Sequence, residues 1–450
     1  MKSREIDMLH GSLWGKLFFF TVPLALSSIL QQLFSSADLA VVGRFDSSAA
    51  MAAVGSNLAL INMLISLFLG LSVGVNVVVA ALIGRGQRDR IHEAVQTSMM
   101  LAFICGFVLL AAGLIIAPGV LRLVGTPDDV LPLAEEYLRI YFLGMPFFMT
   151  YNFGSAILRA KGDSTRPLYA LIASGLLNVA LNLLLVIVFH LGVAGVAIAT
   201  DISNGLSAGM VLRWLMHEEK DFRFSWARSD LVMARPIAGS IFRIGAPAGL
   251  QGTVFALSNV VIQSGINSFG SACIAGNTAA QNFEFMAYFV VNASAQTAVT
   301  FTSQNFAAGN ADRCRKIYRY TMILSMTCCA AVSLLFLLFR YPLIGIFTTD
   351  PEVTRYAMIR LYFIMDIEAL TASYEIAGGC LRGMSHSLTP AAETVLGCCL
   401  FRIIWVNTVF RAHHTIETLM IVYIITWGIT AAMVIPSYFA IRRREFKKLM

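Results

Sequence analysis

The sequence predicts an all-α polytopic membrane protein, with twelve transmembrane helices in two six-helix lobes related by a pseudo-two-fold repeat. Three observations predict it. Of 450 residues, 57% are hydrophobic and 13% charged, against roughly 45–50% and 25% in soluble domains. Apolar runs of bilayer-spanning length, about 20 residues, recur along the whole chain, and stretches such as "LLNVALNLLLVIVF" lack the two-residue alternation of a transmembrane barrel. The chain also repeats itself. "LRAKGDSTRP" at 158–167 and "LRGMSHSLTP" at 381–390 share Leu, Arg, Ser and Pro at a displacement of 223 residues. "GQRDR" and "GNADR", "LRIYF" and "IRLYF", and Pro23 and Pro247 follow in the same order at 223, 221 and 224.

Taken in order, polar breaks place spans at roughly 13–42, 50–82, 93–118, 132–158, 166–190 and 192–216, then 239–266, 273–305, 317–340, 353–379, 388–411 and 415–440. The first follows "MKSREIDMLHGS"; it exceeds a signal-peptide core and no small-residue cleavage pattern follows, so it is expected to stay. Residues 1–216 form the N-terminal lobe, 217–238 a polar cytoplasmic interlobe linker, and 239–450 the C-terminal lobe. Six spans lie within one displacement, so both lobes enter the membrane in the same sense, a transporter architecture with its site between parallel repeats. Pro23 and Pro247 fall inside the first and seventh spans, where a missing N–H favours a bend.

The net charge of +7 matters less than its placement. The termini and the even-numbered loops hold 25 of the 33 Lys and Arg, Lys2 and Arg4 among them, which puts both termini in the cytoplasm by the positive-inside rule and leaves no case for a nucleic-acid partner. All eight cysteines lie in or beside spans without a CxxC pair, reading as small apolar residues. The seven histidines lie near loops, and neither a nucleophile with a base nor a metal-ligand set occurs at membrane depth. An enzyme is therefore not expected, nor any cofactor.

Intramembrane polar residues remain, each costing roughly 2.5–3.5 kcal/mol or more if an unpaired ion. Asp38 in "SSADLAVVGRF" lies about 9 Å along its helix from Arg44 at about 1.5 Å per residue. It is either an interfacial carboxylate pairing with Arg44 or a cavity carboxylate that exchanges a proton or cation. Asn178 and Asn182, four apart, share a face of the fifth span, with Thr200 and Asp201 on the sixth and Asn152 on the fourth. One such amide is more often a helix bridge; five with Asp38 favour a wet pocket. The second lobe offers Gln251, Glu284, Asp366, Glu368 and Glu375. Glu368 and Glu375 share a helical face and Asp366 lies opposite Glu375, while Glu375 aligns with Asn152 in the repeat.

On "SSADLAVVGRF", "GRGQRDR", "ILRAKGDSTRP", "NVALN", "GVAGVAIAT" and "LRGMSHSLTP", in this order and spacing, the chain resembles the multidrug and toxic compound extrusion (MATE) transporters, within a wider group that includes lipid and polysaccharide flippases. The resemblance implies an antiporter of the cell inner membrane. It would export cationic or amphipathic organic compounds against H⁺ or Na⁺ by alternating access, as a monomer in the lipid bilayer. It implies cation coupling at Asp38, with Na⁺ a candidate ligand there, and at Asn178, Asn182, Thr200 and Asp201, beside a substrate cavity with Asn152, Gln251, Glu284 and Glu375. Asn182 stands where some members carry an aspartate, with Asp201 the candidate to restore that charge; the seventh span offers Gln251 and no carboxylate. A flippase for a lipid-linked precursor is the alternative and would want a basic cavity, for which Arg402 is the main interior candidate.

Overall fold

Each apolar run closes its backbone hydrogen bonds within itself, the only way a single segment can cross hydrocarbon. The computed structural model describes residues 5–45, 48–123 and 130–449, leaving Lys2 and Arg4 outside. Three continuous helices come first, α1 (Trp14–Phe45), α2 (Ser48–Gly84) and α3 (Arg88–Leu123). The fourth span is two helices, α4 (Leu131–Leu143) and α5 (Met145–Lys161), meeting at Gly144. The fifth is α6 (Thr165–Asn182), running into a π-helical turn, Leu183–Val188, and the sixth is α7 (Gly192–Met216).

After an irregular stretch come α8 (Arg235–Asn267), α9 (Ser271–Ala307) and α10 (Ala311–Leu338), followed by the short α11 (Arg340–Gly345). The tenth span is α12 (Pro351–Ile364), a 3₁₀ turn at Glu368–Leu370 and α13 (Thr371–Gly383). The eleventh comprises α14 (Leu388–Thr394), a π turn at Val395–Leu400, α15 (Phe401–Asn407) and α16 (Val409–Ala412), and the twelfth is α17 (Ile416–Leu449). All twelve predicted spans are therefore helical.

Among the described residues, nine helical stretches are individually long and apolar enough to cross a membrane. The fourth and tenth spans fall short because they are broken, and the eighth because α9 carries polar residues such as Asn277, Gln281 and Glu284. Several helices outrun the predicted ends: α3 begins at Arg88, α10 at Ala311, and α17 continues to Leu449. Hydropathy ends at the interface, but helical hydrogen bonding does not. The tenth span was expected as one helix and is instead broken, yet Asp366 and Glu368 still fall on opposite sides, as their spacing predicts. Asp366 is exposed and Glu368 only 1% exposed. This break falls at 365–367, and Ile367 stands 223 residues after Gly144, so the two halves interrupt the same helix at the same place.

Grouped by contacts, the chain forms two units. Unit 1 holds the segment ending at Asp7 and Leu26–Gly249; unit 2 holds Met8–Ala25 and the chain from Leu250 onward. The assignment of α1 and α8 thus changes two residues past Pro23 and Pro247, respectively.

Within unit 1, α3 packs on α5, α6 on α7, and α2 on α5. Two small-residue motifs, Gly70 with Gly74 on α2 and Gly245 with Gly249 on α8, bring the backbones together as glycine pairs four apart do in membranes. A Cβ on Gly70 would stand 2.1 Å from the Gly249 nitrogen, and one on Gly74 2.3 Å from the Ile241 carbonyl oxygen. The 217–234 stretch docks on the same unit. Phe224 is buried against Trp226 and Phe103, and the Ala234 N–H donates to Thr97 Oγ1 at 3.0 Å.

An ionic clasp closes the loop after α5. Lys161 Nζ reaches Glu218 at 2.6 Å and Glu5 at 2.7 Å, and Arg166 donates to Asp163 and Glu218. Burial alone would raise the Glu218 carboxyl, but the hydrogen bonds and charges of Lys161 and Arg166 outweigh it and hold that carboxyl below the usual range. A depressed carboxyl stabilises the fold above its unfolded value, about 4.3, and loses that contribution as pH falls through its folded value. Thermal midpoints of the wild type should therefore drop more steeply below about pH 4 than those of Glu218→Gln, measured by intrinsic fluorescence in detergent. Parallel acid profiles would contradict this.

Candidate functional site

Asp38 lies on α1, inside unit 1. Asn178 and Asn182 end α6, where the π turn begins, and Thr200 lies on α7, which packs against α6. The four join as one chain of hydrogen bonds. Thr200 Oγ1 donates to the Val196 carbonyl at 3.0 Å and accepts from Asn178 Nδ2 at 3.3 Å. Asn178 Oδ1 accepts from Asn182 Nδ2 at 3.2 Å, and the same Asn182 amide donates to Asp38 Oδ1.

The chain of donors has a consequence at Asn182. Its amide hydrogens go to Asp38 and Asn178, while its Oδ1 is left without a partner although the residue is 0% exposed. A buried acceptor in that state favours a donor or a small cation beside it. Among the described residues no group of three or more His, Cys, Asp or Glu could hold a metal ion. The oxygens here are one carboxylate, two amides and a hydroxyl, a hard-oxygen set suited to H⁺ or an alkali cation.

Asp201 follows Thr200 on α7 and reaches a different neighbour. Its carboxylate rests against Gly144, at the junction of α4 and α5. Tyr137 and Tyr141 of α4 lie in electrostatic reach of both Asp201 and Asp38. Asn152, in contrast, turns back on its own helix, donating to the Phe148 carbonyl at 2.8 Å.

The polar residues of unit 2 form separate groups. Arg360 of α12 donates to Glu284 Oε2 through Nε at 2.8 Å and Nη2 at 2.6 Å, and to Asn277 Oδ1 at 2.6 Å. Gln251 accepts from Arg382 at 2.8 Å, and Glu375 sits between Tyr288 and Arg382. Arg402, 1% exposed, donates to Asn259 at 3.2 Å and lies 4.3 Å from the Tyr423 ring centre. Glu284 and Glu375 thus lie beside arginines, where Asp38 meets amides and a hydroxyl.

Sequence reasoning gave no site role to Arg360, Arg382, Tyr137, Tyr141 or Gly144, although Arg360 and Tyr141 stand in the repeated "IRLYF" and "LRIYF" and Arg382 is the arginine shared by "LRGMSHSLTP" and "LRAKGDSTRP". The eight cysteines are free thiols, seven of them buried.

Comparison with known proteins fits this geometry into a family. The MatE family model matches the chain twice, over residues 23–184 and 247–408, starting on Pro23 and Pro247. Probable multidrug resistance protein YoeA of Bacillus subtilis (strain 168) is 30% identical over 390 residues, which are 85% of this chain and 84% of that one. Probable multidrug resistance protein NorM of Thermotoga maritima is 25% identical over 386 residues, 85% and 82% of the two chains. A solved structure described as the outward-facing conformation of a multidrug resistance MATE family transporter of the MOP superfamily shares the fold, with a TM-score of 0.89 at 20% identity over 100% of this chain and 99% of that chain. Matched in both halves by one family and over most of its length by such relatives, this multi-pass membrane protein belongs to the MATE family of transporters.

Proposed function

We propose that this protein is a secondary active antiporter of the cell inner membrane, exporting cationic or amphipathic organic compounds in exchange for H⁺ or Na⁺ by alternating access, with both termini cytoplasmic. The observation that carries the reading is the Asp38 network, a membrane-embedded carboxylate held by amides with a spare buried acceptor in Asn182. A carboxylate without an arginine partner changes charge when it takes a cation, and that change reorders the Asn182, Asn178 and Thr200 bonds. Exchange then follows if the cation and the organic compound favour different states, since a ligand shifts an equilibrium only through its differential affinity.

The names of relatives, multidrug resistance proteins at 30% and 25% identity, support the substrate class. Of the interior arginines, Arg360 is neutralised by Glu284, while Arg382 and Arg402 donate to the neutral amides of Gln251 and Asn259. It is therefore the names of the relatives, rather than these arginines, that favour organic compounds over a lipid-linked diphosphate. The test is ethidium movement in proteoliposomes with pH and sodium gradients imposed one at a time. Uptake against its own gradient, driven by at least one of the two ions, is expected; ethidium movement indifferent to both would refute antiport.

A further inference from the structure

Apart from the polar groups already described, unit 2 carries a crevice at the start of α10. Its volume is about 540 Å³, and it is walled by Leu9 and His10 ahead of α1, by residues 309–312, and by Arg313 and Lys316. Arg313 builds one wall, donating to the carbonyls of Met8 at 3.0 Å, His10 at 2.9 Å and Gly11 at 2.8 Å. Lys16 of α1 donates to the same His10 carbonyl at 2.7 Å. The acid on the rim, Asp312, is turned to Arg315 at 2.7 Å. Lys316 is exposed on the crevice and has no acidic partner among the described residues.

Aromatic and apolar neighbours fix the depth of that ammonium. Tyr320, one turn after Lys316, meets Trp14 of α1 edge to face at 5.7 Å, and Trp and Tyr gather at the membrane–water boundary. One turn further in, Phe18 and Phe19 of α1 and Ile323 of α10 are exposed, as side chains against lipid tails are. Four residues at about 1.5 Å each put Lys316 about 6 Å to the aqueous side of the aromatic pair, the level of phospholipid headgroups.

The repeat supplies a comparison within the chain. At the displacement of 223 residues that aligns "GNADR" with "GQRDR", Lys316, Arg319 and Tyr320 correspond to Glu93, Gln96 and Thr97 of α3. At the displacement of 224 between the two prolines, Trp14 and Lys16 correspond to Ala238 and Ser240 of α8. Unit 1 keeps the helices and lacks both the charges and the aromatic pair, so packing of the repeat does not explain them.

We infer that this crevice of unit 2 binds the phosphate headgroup of one anionic phospholipid, with Lys316 as its point charge and Trp14 and Tyr320 beside the glycerol and upper chains. Lysine binds phosphate in that way, and basic pockets between helices at this level suit anionic headgroups. Free phosphate would meet the same ammonium but gain nothing from the aromatic pair or from the lipid-facing side chains below it. The inference stands whichever ion drives transport.

Native mass spectrometry of the full chain in detergent, titrated with phosphatidylglycerol, phosphatidylcholine or inorganic phosphate, provides the test. The wild type should retain one phosphatidylglycerol roughly tenfold more tightly than phosphatidylcholine, and inorganic phosphate at the same concentration should not displace it. Lys316→Ala should weaken that retention roughly fivefold and Lys316→Glu roughly thirtyfold, as removal and reversal of one charge near the membrane surface do. Arg411→Ala, at an exposed arginine on the far end of the eleventh span, should bind as the wild type does. Because Lys316 is exposed, both variants should keep the wild-type thermal midpoint, and Lys316→Ala decides alone if the charge reversal does not fold. Equal retention of the two lipids by the wild type, displacement by inorganic phosphate, or phosphatidylglycerol held by a folded Lys316 variant as tightly as by the wild type overturns the proposal.

Discussion

Asp38→Asn should insert and fold normally yet reduce ion-driven efflux to the level of empty vesicles. The substitution keeps the shape and an acceptor oxygen for Asn182 Nδ2, so the bond that ties α1 to α6 can persist. What disappears is the charge. Moving a two-state transporter from 1:99 to 99:1 takes about 5.5 kcal/mol of differential binding, and a neutral amide no longer distinguishes the cation-loaded state from the empty one. Stability should hold or rise slightly, because a half-buried carboxylate held by amides rather than by a cation is costly to keep. Ethidium efflux from cells, read beside the thermal midpoint of purified protein, checks both halves. A folded Asp38→Asn that protects drug-sensitive cells as well as the wild type does would remove Asp38 from the mechanism.

Arg360→Met should cost stability instead, by about 3–5 kcal/mol, the usual effect of stripping one partner from a buried ion pair. Arg360 is 2% exposed and supplies two hydrogen bonds to Glu284 and one to Asn277, packed 5.2 Å from the Tyr423 ring centre. Without it the Glu284 carboxylate stays buried and unpaired. Pairing Arg360→Met with Glu284→Leu should recover most of the loss, since apolar replacement of a whole buried pair is often neutral or stabilising. Unfolding midpoints of the single and double variants give the comparison. An Arg360→Met midpoint within a degree or so of wild type would mean that the pair contributes little.

The two variants mark what the sequence can and cannot carry. Spans are legible because the bilayer imposes a length and a polarity on every segment independently, so α2 or α17 is recognisable without its neighbours. Asn178 and Asn182 were legible as a pair because four-residue spacing fixes a shared face whatever else surrounds it. Glu284 was legible as a polar residue at depth, but its partner Arg360 lies 76 residues away on another helix. Nothing local separates Arg360 from its repeat counterpart Arg139, whose side chain is 57% exposed beside Glu135.

Gly144 is the sharper case. Its helical angles give no sign of a break, and glycine is needed only because Asp201 approaches from α7. That is a fact of tertiary packing, invisible to any window of sequence. In the tenth span the expected continuity failed, at 365–367, while the opposite placing of Asp366 and Glu368 held, one exposed and the other buried.

The central claim is that water and ions reach Asp38 from each side of the membrane in turn. Ser35, one turn before it on α1, is exposed and offers a reporter position. With the eight native cysteines replaced, a single cysteine at position 35 can be challenged with a membrane-impermeant thiol reagent in right-side-out and inside-out vesicles. Labelling from one side in the absence of ethidium, with access from the opposite side gained when ethidium and the ion gradient are present, is the predicted result. A thiol that stays closed to reagent from both sides under every ion and drug condition would contradict it.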